Sequence, residues 1–485
     1  MKLVLPDHLP HPLTKEMSEK TASYIPPIQL KNEAKYEDCL DILDSYEDTI
    51  DQLYRKAGLA GELEKLQVPV GGDQLTVRRF EGAKALRAGA HLRRECFENL
   101  SPMIIELFHT VMDFLEKMCK RFLKPKATGD QGTAANLKAL IQRTSVNGKV
   151  KSRYAVHMDF IQTEAADEHP KLVPLDILLN GVSCQVKVPL VGELVTIVVK
   201  DGIIQHPVSL VYKNVSSTWC KYLIKLPTAV TILLHLKRST TVPEPEPDEL
   251  NNYARQFMQW YFILLNFDDT LKEGDICRMN VLLKIMIPFF YSHSTLSKYF
   301  VECIDYILKT EVLLEPEVAV RVRALSFVNP KGGSGNNLAC DMQKEMQVRT
   351  LKEAINSLGA HKTDRAIVRA CGSVDVIHRV ATNFDALIEK NFGSYHPRKS
   401  SEEDEELIVA RLRKLRPFQH SAGRKLANFS GIQASPFSNV KRDTFVEHLL
   451  RVVDRLKFSA VVVDEDENDD NDSVAEENFN LHIRP

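Results

Sequence analysis

Apolar residues recur at helical spacing through most of this sequence, and the pattern gives way to short β-like runs mainly between Pro174 and Leu236. A period near 3.6 residues means that one stripe of each helix has to be covered, so such a chain folds chiefly by packing helices on helices. From Tyr36 to Leu66, Cys39, Leu40, Ile42, Leu43, Tyr46, Ile50, Leu53 and Tyr54 interleave with acids and predict an amphipathic helix or a pair of them. The pattern over 97–124 predicts one long core-facing helix, with Leu100, Ile104, Leu107, Phe108, Val111, Phe114, Leu115, Met118 and Phe122 on a broad face and Pro125 as its stop. In the β-like stretch, valines and isoleucines from Val186 to Val211, separated by Gly192 and Gly202, predict short strands joined by turns.

The expected class is mixed α/β and predominantly α-helical. A chain of 485 residues exceeds the roughly 250–300 at which a single core stops growing. Composition divides it into an arm over 1–35 that is left without a fold, an α/β region over 36–165, a β-rich segment over 170–240, a helical C-terminal domain over 248–458 and an acidic tail over 459–485. The stiff Pro243 to Pro247 segment marks the main boundary, and the run Asp464 to Asp472 repels itself and is expected to be disordered. A formal net charge of −2 points to neither a nucleic acid nor a membrane as partner, although a local basic groove would still bind a polyanion. The nine cysteines show no CxxC pair or zinc spacing and read as reduced thiols. With Pro6, Asp7 and His8 breaking the apolar start, no signal peptide is expected, and no apolar run approaches the ~20 residues of a membrane span. An intracellular location, nucleus or cytoplasm, follows as the expectation.

Four local patterns carry candidate chemistry. Leu66 to Val70, then Gly71-Gly72-Asp73-Gln74-Leu75-Thr76, then a helical pattern from Val77 read as strand, tight turn and helix. Asp73 would there either join a metal site or cap the helix beginning near Thr76. Glu106, His109 and Asp113 lie three and four residues apart, a spacing that puts them on one helical stripe; the plainer role for His109 is at the edge of a packed face. The glycine-rich loop Asn329 to Asn337 lacks the order of a Walker loop and leads into a helix carrying Asp341 and Glu345. That i, i+4 pair can share a cation, or Glu345 can simply pair with Arg349. Basic runs follow at Arg78, Arg79, Lys84, Arg87, Arg93 and Arg94, and again from Arg411 to Lys425, the latter beside the acids Glu402 to Glu406.

Taken in order, several segments resemble the eukaryotic domain-of-unknown-function 6589 family. They are Gly72 to Thr76 with the helix after it, His109 within Glu106 to Met112, Gly132-Thr133 with Leu137 to Arg143, and Glu273-Gly274-Asp275 with Arg278. Leu283-Lys284, Pro288-Phe289, Lys298-Tyr299, Phe327 to Gly359, Thr363 to Asp385 and Gly423-Arg424-Lys425 continue it. The resemblance implies a mobile-element-derived protein with no assigned reaction. A strand-end Asp followed by a helical His also resembles the second acidic element of RNase H-like transposases. That likeness implies an RNase H-like α/β core with a long insertion, in which Asp73, Asp341 and Glu345 are catalytic carboxylates and Asp73 and His109 are metal ligands. It further implies Mg²⁺ as the ion, DNA as the partner, and Arg78, Arg79 and Arg87 as nucleic-acid contacts. The chain departs from the pattern at Ile276-Cys277, Met346 and Val348, and residues 1–65 offer no strand-borne Asp upstream of Asp73. The expectation is therefore a truncated, catalytically incomplete transposase relative, with a non-enzymatic helical interaction or scaffold protein as the alternative.

Overall fold

A computed structural model describes residues 11–23, 26, 28–165, 184–190, 193–200, 203–204, 246–294, 297–387 and 401–458. Helix dominates, as the periodicity demands. Helix α1 (Tyr36–Lys56) buries Cys39, Ile42 and Leu43. This face packs on α2 (Gln74–Leu86), with Val77, Phe80 and Ala83, and on Phe97, Leu100 and Met103 to make a small separate core. Between α1 and α2 the chain forms strand β1 (Val70–Gly72), which pairs in parallel with β2 (Met103–Ile105) in the register Val70↔Met103, Gly71↔Ile104, Gly72↔Ile105. Parallel pairing needs a crossover, and α2 supplies it.

The continuous helix expected over 97–124 is corrected here. Helix α3 begins only at Leu107 and runs to Phe122. Met103, Ile104 and Ile105 are buried on both faces of β2, and a fully buried strand mimics a helical apolar run in sequence. The strand expected over 66–70 is likewise displaced toward its glycines, since Gly71 and Gly72 lie in β1 rather than in the turn.

Helix α3 is the axis of the larger core. Its Phe114 ring lies 4.6 Å from that of Trp260 on α6 (Glu249–Glu273) and 5.6 Å from Phe290 on α7 (Ile276–His293). Of two short helices, α4 (Ala134–Leu140) and α5 (Tyr154–Ala165), the second packs beside it and the first packs on the second, and α8 (Lys298–Leu308) packs on α7. One apolar cluster runs through all of these and on to Leu412 and Val452 in α12 (Ser401–Leu415) and α13 (Arg442–Phe458). It therefore draws on chain from both sides of Pro243 to Pro247. Asp248 and Glu249 at the start of α6 hold the 416–433 loop: Asp248 takes Arg424 Nε at 3.0 and 2.9 Å and the Ser421 N–H at 2.7 Å, and Glu249 takes the N–H groups of Leu426 and Gly431.

Strands β3 (Cys184–Leu190), β4 (Glu193–Lys200) and β5 (Ile203–Ile204) form an antiparallel sheet within the stretch read as β-rich. The rest of that stretch and the acidic tail lie outside the described residues. After α9 (Pro316–Leu325), the two-residue strands β6 (Phe327–Val328) and β7 (Leu338–Ala339) pair antiparallel and close the glycine-rich loop into a hairpin that delivers α10 (Cys340–Ser357), followed by α11 (Asp364–Leu387). Residues 17–21 of the N-terminal arm lie on that loop. Gly333 N–H donates to Ser18 O at 2.8 Å, and the Thr21 N–H donates to Asn329 O at 2.8 Å. The φ of +80° at Gly332 and +84° at Gly333 is why glycines stand there. Among the described residues no helix is long and apolar enough to cross a membrane, and Cys39, Cys96, Cys119, Cys277, Cys303, Cys340 and Cys371 are free thiols.

Candidate functional site: a carboxylate and histidine junction

Three stretches of chain converge where β1 and β2 end. Asp73 follows β1 in extended conformation, and its Oδ1 accepts the Thr76 N–H at 2.8 Å, which makes it the cap of α2. Glu106 follows β2 and is the N-cap residue of α3, yet its side chain does not bond to its own helix. It turns across Gly71, where an added Cβ would stand 1.6 Å from Oε1, and it accepts the backbone N–H of Asp341 in the first turn of α10. Asp341 does the same in the opposite direction. Its Oδ1 accepts the Phe108 N–H at 3.0 Å and its Oδ2 the His109 N–H at 2.9 Å. Two helix N-termini thus face each other, each capped by the other's carboxylate, across more than 230 residues of sequence. The four orphan N–H groups and the positive end of each dipole explain why acids sit between them.

His109 completes the junction. Its Nδ1 lies 2.9 Å from Asp341 Oδ2 and its Nε2 3.9 Å from Glu345 Oε1. Burial works against the imidazolium, but the hydrogen bond and charge of Asp341, with Asp73 and Glu345 behind it, prevail and hold the group above the ordinary histidine range. Burial, then the charge of Asp341, pushes Glu106 well above the usual carboxylate range against the smaller opposing effects of Lys344 and the Asp341 N–H. Glu106 Oε2 is buried and has no hydrogen-bond partner. Burial also raises the neighbouring phenols of Tyr154 and Tyr299, the first helped by Asp268 and Asp341 and the second by Asp113, Asp73 and Asp341. The thiol of Cys340 is pushed up to about 12, by burial and then by Glu106 and Asp341.

The structure therefore brings Asp73, His109, Asp341 and Glu345 to one end of the β1 and β2 pair, and adds Glu106 from the expected stripe. Asp113 does not join them: its carboxylate bonds to Lys117 one turn along α3. The three arginines expected at nucleic acid face acids of this chain. Arg78 Nε donates to Glu302 at 3.1 Å, Arg79 lies 3.8 Å from Glu33, and Arg87 takes Asp44 through both Nη atoms at 2.9 and 2.8 Å. What the sequence reading missed is the partnership of Glu106 with Asp341. The signal for it was an acid directly between an apolar Met-Ile-Ile run and a helix start.

The donor set offers few open positions to the Mg²⁺ that the transposase resemblance implies. Mg²⁺ demands near-octahedral oxygen ligands at ~2.0–2.1 Å. Both oxygens of Asp341 already accept N–H bonds, one oxygen of Asp73 caps α2, and His109 presents Nδ1 to Asp341. Among the described residues no group of three or more His, Cys, Asp or Glu side chains is placed to hold a metal ion.

Fold and site together define a predominantly helical protein built round a buried carboxylate and histidine junction between two facing helix N-termini. The chain belongs to the family of unknown function DUF6589, whose model matches residues 4–396. The matched span takes in every member of the junction and ends before α12. No curated protein and no solved structure matches the chain.

Proposed function

We propose that the chain is a catalytically incomplete relative of RNase H-like transposases, in which the residues at the positions of catalytic acids hold helices together and the protein works by binding rather than by cleavage. The relationship is supported by placement: an acid follows each of two parallel strands, and Asp341 and Glu345 return to the same point from α10 after a long helical insertion. The loss of catalysis is supported by one observation above the rest, that both oxygens of Asp341 are committed to the N–H groups of Phe108 and His109. A carboxylate so bonded is a cap. The test is Mg²⁺-dependent cleavage of DNA by the full chain beside its Asp73→Ala variant. The expected result is no cleavage by either, while Mg²⁺-dependent cleavage that Asp73→Ala abolishes overturns the reading.

The non-enzymatic interaction protein has its own support on α11. Val376, Val380 and Phe384, spaced four residues apart, are 53%, 62% and 59% exposed, an uncovered apolar row of the kind that docks on another protein. The Arg78, Arg79 and Arg87 side chains are paired internally, which favours a protein surface over DNA as the partner. A Val380→Glu, Phe384→Glu variant is expected to remain folded and to lose association with whatever protein the full chain retains. Retention of the same protein by the variant removes this face from consideration.

A further inference from the structure

Arg121, in the last turn of α3, differs from four other arginines among the described residues. Arg78, Arg143, Arg278 and Arg424 each meet a carboxylate of this protein. Arg121 meets none. Its Nε and Nη2 donate to the side-chain oxygen of Gln256 at 3.1 and 2.7 Å, and its guanidinium plane lies 6.0 Å from the Trp260 ring. Gln256 is itself fully buried and fixed through its amide nitrogen on Gln433 O at 2.5 Å. Burial alone moves the Arg121 side chain, downward, with no acid close enough to oppose it. A guanidinium has five N–H donors, so most of those on Arg121 remain unassigned.

The guanidinium borders a cavity of about 120 Å³ that also meets Gln256, Gln433, Ser435, Ser438 and Asn439. No carboxylate lines it. At ~30 Å³ per water, the space holds about four waters, and it is far below the ~300 Å³ where pockets for whole small-molecule ligands begin. Lys117 and Lys120 stand nearby on α3, paired with Asp113 and Glu116 of the same helix. Burial and then Lys117, Arg121 and Lys120 depress the nearby His293 to about 4. A half-buried cation without a counter-ion is costly, and the Ser435 hydroxyl and the Asn439 amide beside it are donors that a tetrahedral oxyanion would use, while Gln433 and Ser438 already donate to Gly431 O and Ser435 O.

We propose that this cavity is an anion site that takes one phosphate group, with Arg121 as its charge partner. The group can arrive as free inorganic phosphate or on the end of a nucleic-acid strand. The site is separate from the Asp341 junction and independent of its reading.

The experiment is thermal unfolding of the full chain against inorganic phosphate, with ionic strength held constant by chloride. Stability is expected to rise saturably with phosphate. Arg121→Gln removes the response but also disturbs Gln256 and Trp260, so a second variant is needed. Ser438 is exposed, and Ser438→Asp places a carboxylate at the cavity with no core change. It is expected to unfold like the wild type in chloride and to bind phosphate at least about tenfold more weakly, a loss of ~1.4 kcal/mol. Displacement of phosphate by a 5′-phosphorylated oligonucleotide, and not by the unphosphorylated one, identifies the esterified group. Displacement by neither identifies the free ion. No phosphate response beyond chloride, or equal affinity in Ser438→Asp, overturns the proposal.

Discussion

Replacing Asp341 by Ala removes the acceptor of the Phe108 and His109 N–H groups and the partner of His109 Nδ1 in one step. Loss of an N-cap costs about 0.5–2 kcal/mol, and a hydrogen bond to a charged group contributes about 1.5–3 kcal/mol. Relief of the repulsion between Asp341 and Glu106 offsets part of this, because that repulsion helps to raise Glu106. The net expectation is about 2–4 kcal/mol of destabilisation. Asp341→Asn keeps the size and one acceptor oxygen and should fall between the wild type and Asp341→Ala. The sign of the pH dependence follows from His109. Its folded pKa is raised, so the stability it draws from Asp341 is fully present below the unfolded value near 6.5 and is lost as pH rises through the folded one. The penalty for Asp341→Ala should thus shrink on the alkaline side. Urea unfolding at several pH values, with amide exchange at Phe108 and His109, measures both effects. A penalty under about 0.5 kcal/mol, within the range of ordinary surface substitutions, refutes the claim that the two helix ends cap each other.

Three further outcomes are expected. Gly71→Ala puts a Cβ onto Glu106 Oε1 and should cost about 1–3 kcal/mol, falling below about 0.5 kcal/mol in a Glu106→Ala background; equal costs in both backgrounds would show that Glu106 is not what fills the space. Asp248→Ala leaves the Arg424 guanidinium without its carboxylate and should cost about 3–5 kcal/mol, with faster proteolysis inside 416–433; unchanged cleavage there removes the anchoring role of Asp248. His293 should titrate near 4 by NMR. Because that value is depressed, its contribution is present above the unfolded value near 6.5 and is lost as pH falls toward 4, and a midpoint above 6 contradicts the burial, and the smaller effect of the neighbouring cations, that hold it down.

The local elements were readable where periodicity and capping act within a few residues. The helix after Asp73, the amphipathic face of α1 and the apolar stripe of α3 follow from spacing alone, whereas the strand before Asp73 falls on its glycines. The β2 strand was not readable, since Met103-Ile104-Ile105 is apolar in either conformation and only the backbone of β1 decides between them. The candidate site divides in the same way. His109 and Asp341 stand out by residue type, but nothing local says that an acid on α10 caps α3, because their contact crosses more than 230 residues. Arg121 carries no sequence signal at all, and its character comes from the acids that the fold leaves out around it.

The central claim is that the acids at the ends of β1, β2 and β7 serve helix N-termini and not a cation. Its most direct test is a millimolar Mg²⁺ titration of the full chain followed through the His109 imidazole signals by NMR. No saturable change is expected, with the same imidazole shifts throughout. A saturable shift of His109 that disappears in Asp73→Ala would contradict it.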